Sequence, residues 1–108
     1  MEVGVVSRVV HPLHGHGGME KHVHQLVTGL AERGVEVELF CMETGEEIPE
    51  ELRRENLEIT FVPYREFSIG KLSYFSFIQH LFPYFHRLDE KDLVHFHGMT
   101  GGVPYAFL

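Results

Sequence analysis

Val3-Gly4-Val5-Val6-Ser7-Arg8-Val9-Val10, followed by His11-Pro12-Leu13-His14-Gly15-His16-Gly17-Gly18, a helical segment to Gly34, and Val35-Glu36-Val37-Glu38-Leu39-Phe40, is the stretch that decides the fold. Val3, Val5, Val6, Val9 and Val10 form a β-branched run with little alternation, the signature of a parallel strand covered on both faces. The polar, glycine-rich segment from His11 breaks it. Met19, Val23, Leu26, Val27 and Leu30 then fall on one helical stripe, and Gly34 is placed to stop the helix with a left-handed cap. Val35 to Phe40 is the return strand. The order strand, loop, helix, strand is a βαβ unit, and ligands of such units bind where loops leave the carboxyl ends of strands.

The glycines of that loop sit just before the helix. A residue without a β-carbon lets a ligand approach the backbone, and the free N–H groups of the first helical turn favour an anion. A tight structural turn uses the same residues, so this loop alone does not separate the two roles.

Composition narrows the function classes. The chain of 108 residues is 44% hydrophobic and 12% aromatic, enough for one domain with a core. A net charge of −7 with no basic stripe excludes general nucleic-acid affinity. The lone cysteine, Cys41, ends a buried strand, which predicts a core filler in a reducing, cytoplasmic setting. Met1-Glu2 lacks the positive region of a secretory leader, and no apolar run is long enough to span a membrane.

Further along, the acidic stretch from Glu43 to Glu51 reads as a solvated loop entering a short helix near Leu52. Leu57 to Val62 alternates as a third strand ending at Pro63. Lys71 to Phe82 reads as a helix apolar on two sides, broken or kinked at Pro83. Asp92 to His97 is a fourth strand ended by Gly98, and Thr100 to Leu108 starts another helix. A helix started without a cap or following strand predicts a truncated chain whose uncovered sheet edge favours self-association. Aromatic residues between Tyr74 and Phe85 could meet a membrane surface peripherally, but core packing explains them with less, because Lys71 and Arg87 are the only nearby positive charges.

Five of the nine histidines, His11, His14, His16, His22 and His24, surround the first loop and helix. His22 and His24 are two apart on a helix, about 200° around its axis, and cannot share an ion. His11, His14 and His16 match no common zinc spacing, so no metal site is expected. His95 and His97 point to one face of their strand. His95, one position deeper, is expected to be a buried histidine satisfied by backbone. His97, at the strand end beside Gly98, is expected to serve a ligand, since imidazole can donate or accept a hydrogen bond near neutral pH.

Gly17-Gly18-Met19-Glu20-Lys21-His22-Val23, followed by Leu26, Leu30, Ala31 and Arg33-Gly34-Val35-Glu36-Val37, resembles the amino-terminal signature of family 4 glycosyltransferases of the GT-B fold. Asp92-Leu93-Val94-His95-Phe96-His97-Gly98 resembles that family's fourth-strand motif. The resemblance implies an α/β, Rossmann-like fold with a mostly parallel sheet and flanking helices, and assigns residues 1–108 to an incomplete amino-terminal, acceptor-side domain. It implies a retaining, hexosyltransferase-type activity that moves a sugar from a nucleotide-diphosphate donor to a sugar or lipid acceptor, with the nucleotide sugar as co-substrate and no other cofactor. Gly17, Gly18, Glu20 and Gly98 would then line the donor diphosphate and substrate, and His97 would lie by the transferring sugar. Glu20 also suits the first helical turn electrostatically, an effect of roughly 0.3–1 kcal/mol. The carboxy-terminal motifs of the family have no counterpart here, so the isolated chain is expected to be inactive. A non-catalytic binding module derived from a transferase is the alternative. An NAD-type domain is a weaker one, because Gly15-His16-Gly17 with Glu20 lacks the third glycine of the dinucleotide fingerprint, although Glu43 could mimic its ribose-binding acid.

Overall fold

A computed structural model describes residues 1–62 and 81–97. Strand β1 (Glu2–Val6) leads through the glycine-rich loop into helix α1 (Gly18–Glu32), then β2 (Glu36–Met42). A 3₁₀ turn (Glu50–Leu52) precedes β3 (Leu57–Val62), and a second (Phe82–Tyr84) runs into the short helix α2 (Phe85–Asp89) and strand β4 (Leu93–Phe96). The four strands form one sheet in the order β3-β2-β1-β4, with every pairing parallel. Parallel neighbours require crossovers, and α1 supplies the first. The expected α/β Rossmann-like architecture is therefore what the chain adopts.

The register divides the side chains between two faces. Val3, Val5, Val37, Leu39 and Cys41 pack with Val23 and Val27 of α1, and Leu52 closes the end of this core. Val6, Phe40, Met42 and Val62 turn the other way, against Leu81, Phe85 and Leu88. Burying a side chain of this size stabilises the fold by roughly 1.5–3 kcal/mol, so the β-branched, unalternating strands are the main source of cohesion. Gly4 is needed at one crossing: a β-carbon there would lie 3.2 Å from both Leu88 and Lys91. Gly34 ends α1 at φ +84°, the left-handed cap expected of it.

The first strand is shorter than its valine run. Pairing ends at Val6, where the Ser7 hydroxyl donates to Val9 O at 2.8 Å and the Val10 N–H donates to His14 Nδ1 at 2.9 Å. These local bonds draw the chain out of the ladder while Val9 and Val10 stay buried, so burial marked the run correctly and strand length incorrectly. The second strand runs two residues past Phe40, to Met42, because Arg8 O accepts the Met42 N–H. The helix expected over Lys71 to Phe82 lies outside the described residues up to residue 80, as do Pro63 and the segment from Gly98 to Leu108.

The polar feature of the sheet is Glu38 on β2, 2% exposed. Its Oε2 accepts from Thr60 Oγ1 at 2.5 Å and pairs with Arg87 Nη2 at 2.7 Å, while Oε1 pairs with Lys91 Nζ at 3.0 Å. These bonds tie α2 and the approach to β4 onto the sheet.

Candidate functional site

Val6 and Phe96 are register partners at the carboxyl ends of the neighbouring strands β1 and β4. His97 follows directly, and its N–H donates to Val6 O at 2.9 Å. The expected catalytic histidine thus stands beside the point where the chain leaves β1 for the loop carrying Gly17 and Gly18. Gly98 lies outside the described residues.

The loop is held by its histidines. His11 N–H donates to Glu20 O at 3.0 Å, and His24 Nδ1 donates to His11 O at 2.9 Å, folding the loop back onto α1. His14 accepts the Val10 N–H at Nδ1, and its Nε2 donates to Met42 O at 2.8 Å, so the ring spans the ends of β1 and β2. His11 Nδ1 lies 3.1 Å from Gly15 O and 3.0 Å from His16 Nδ1. Among the described residues, no group of three or more His, Cys, Asp or Glu side chains is arranged to hold a metal ion. The abundance of histidine in this loop has a structural explanation in these bonds.

The glycines divide by what their backbone does. Gly15 has φ +143°, a conformation that L side chains rarely adopt, and a β-carbon there would meet Glu20 Oε2 at 3.0 Å. Gly17 is the N-cap of α1, and its N–H donates to Glu20 Oε2 at 3.1 Å. A β-carbon at Gly17 would come within 2.8 Å of the same oxygen. Glu20 therefore acts in the fold as a helix cap, closing one free donor of the first turn with a carboxylate. Gly18 is different: a β-carbon there meets nothing within 4 Å, its φ is not positive, and the residue is exposed.

His97 is half-buried. Partial burial, and then the neighbouring imidazoles of His22 and His95, hold its pKa below the ordinary histidine value. The His22 ring lies stacked on that of His97 with centroids 5.0 Å apart, and the His95 ring is 5.9 Å from it. His95 departs from expectation. It is exposed, as is Leu93, which lies on the same face of β4. His22 carried no site role in the sequence; the available signal was its position four residues after Gly18, on the same helical face. Cys41 is fully buried, and burial pushes its thiol pKa up, leaving an inert core group.

A concavity of about 600 Å³ lined by Ile48, Leu52, Leu57, Ile59 and Phe61 lies against β3. It is at the sheet edge opposite β4 and so apart from His97.

The profile of Glycosyltransferase Family 4 matches residues 16–107, spanning both the glycine turn and the strand carrying His97. The chain belongs to glycosyltransferase family 4. Its parallel sheet is the Rossmann-like half-architecture of the GT-B fold that the family adopts. Among curated proteins, no sequence matches the chain. Among the described residues, no helix of this family 4 domain is long and apolar enough to cross a membrane.

Proposed function

We infer that this domain forms the acceptor-side half of a retaining nucleotide-sugar glycosyltransferase site, in which the donor diphosphate approaches the backbone at Gly17 and Gly18 and His97 hydrogen-bonds the transferring sugar. The observation that carries this reading is the exposed Gly18 at the start of α1, one helical turn before His22, whose ring stacks on His97. Glycine costs up to about 1 kcal/mol relative to alanine in a helix interior and less at the first helical position, which Gly18 occupies. Neither crowding nor backbone conformation requires glycine there. Close approach of a ligand does.

The chemistry follows from charge. Departure of a nucleoside diphosphate builds negative charge on its oxygens, and the N–H groups at the start of α1 are fixed donors that need no reorganisation to meet it. Gly17 N–H is engaged by Glu20, so an incoming phosphate either displaces that carboxylate or uses the neighbouring donors. A neutral His97 retains one donor and one acceptor nitrogen, which suits a sugar hydroxyl. No further cofactor enters this scheme. The acceptor is a sugar or a lipid, and Gly98 joins the substrate-binding set by resemblance alone. A reducing compartment agrees with the single, buried cysteine.

Thermal-shift measurements with nucleotide sugars, free nucleotides and NAD test the reading. A rise in unfolding temperature with nucleotide sugars exceeding that with NAD, and lost in Gly18→Ala, is the expected outcome. Stabilisation by NAD alone supports a dinucleotide site instead. No stabilisation by any of them at millimolar ligand removes the donor assignment.

A further inference from the structure

His22 has no part in the donor contacts assigned above. It lies four residues after Gly18 on α1, and side chains in a helix lean toward its N-terminus. The ring therefore reaches back over the first turn toward the strand ends, where it stacks on His97 with centroids 5.0 Å apart and planes inclined by 27°. We propose that His22 is a positioning residue for His97, fixing the plane of its ring and keeping it neutral, so that it meets a bound sugar with one donor and one acceptor nitrogen. The role in transfer rests on the reading that His97 serves the sugar; the pairing of the two rings does not.

The physical basis is mutual exclusion of charge. Two imidazolium rings face to face repel each other, and 5.0 Å is well inside the screening length of about 8 Å at physiological ionic strength. His22 is exposed, which weakens the repulsion without removing it. Among the described residues, the titratable groups placed against His97 include His22 from α1 and His95 from β4, while β1 meets it through the Val6 carbonyl. Both neighbours act in the same direction as burial, against the cation. The neutral form matters because a protonated imidazole can only donate.

The test is an NMR titration of the histidine ring C–H signals against pH in the whole chain, with His97 identified by loss of its signal in His97→Gln. His22→Phe keeps a stacked ring and removes its proton site, so the His97 pKa rises while the ring-current shift on its signal persists. His22→Ala raises the pKa and abolishes that shift. An unchanged His97 pKa in both variants, or a ring-current shift that survives His22→Ala, overturns the proposal. The titration needs no ligand, so it fails or succeeds independently of donor binding. Absence of nucleotide-sugar effects on the Gly17 and Gly18 amides in the same wild-type sample would instead count against the transfer reading.

Discussion

Glu38→Ala is expected to destabilise the domain by about 2–4 kcal/mol, and the structure gives the reasons for both ends of that range. Removing one partner of a buried ion pair costs about 3–5 kcal/mol, because the remaining charges stay desolvated. Two cations face Glu38, and their situations differ. The Arg87 side chain is 37% exposed and lies 3.8 Å from Glu58, so it keeps both water and a second carboxylate. The Lys91 side chain is 16% exposed and must move its ammonium outward. Thr60 also loses its acceptor, a further loss of about 1 kcal/mol. The relief available to Arg87 lowers the total. With a urea slope of about 1–1.5 kcal/mol/M, the unfolding midpoint should fall by about 2 M, or the cooperative transition should vanish. Circular dichroism in urea gives the midpoint, and amide exchange locates the damage. Because Lys91 leads into β4, protection should drop there more than in β2. A loss below about 1 kcal/mol with unchanged protection in β4 would show that the network does not hold the strand bearing His97.

Other substitutions separate fold from function. Gly18→Ala should leave stability within about 1 kcal/mol of the original, since its β-carbon meets nothing, while reducing affinity for a nucleotide-diphosphate sugar; calorimetry showing equal affinity would contradict the close approach. Gly17→Ala should disturb the apo fold itself by displacing the Glu20 carboxylate, visible as a lowered unfolding temperature without ligand. In an enzyme joining this domain to a donor domain, His97→Ala should lower kcat by roughly 10²–10³-fold with KM for the donor little changed; wild-type turnover in a folded variant would leave His97 a packing residue. His97 has a folded-state pKa below its ordinary value of 6.5, so the unfolded chain binds the proton more readily. Its contribution to stability is therefore complete above about pH 6.5 and declines as pH falls toward the folded-state pKa. Comparing wild type with His97→Gln across that window measures it, and parallel stability curves would remove the effect.

The sheet was legible because its signal is periodic and local. Valine-rich strands, a helical stripe from Met19 to Leu30 and Gly34 at the helix end each follow from the conformational preferences of a few neighbouring residues. Where pairing stopped was less legible, since the end of β1 depends on the Ser7 and His14 side chains competing for backbone groups. The place of His97 at a strand end next to β1 followed from topology. The exposure of His95 did not, because it depends on what packs over β4 rather than on the strand's own residues. His22 was missed for a related reason: helical spacing excludes it from sharing an ion with His24, and its actual partner is distant in sequence. Likewise, the role of Glu38 depends on Arg87 and Lys91, which are distant in sequence and reach it only in the fold.

In the proposed site, the Gly17–Gly18 turn and His97 contact the same bound donor. Titrating the isotope-labelled chain with uridine- and guanosine-diphosphate sugars, while following the Gly17 and Gly18 amides and the His97 ring, tests it most directly. These signals should move together along one saturation curve for at least one donor, and Gly18→Ala should remove the response at all of them. Signals that shift along separate curves, or that remain still while residues lining the β3 concavity respond, would contradict it.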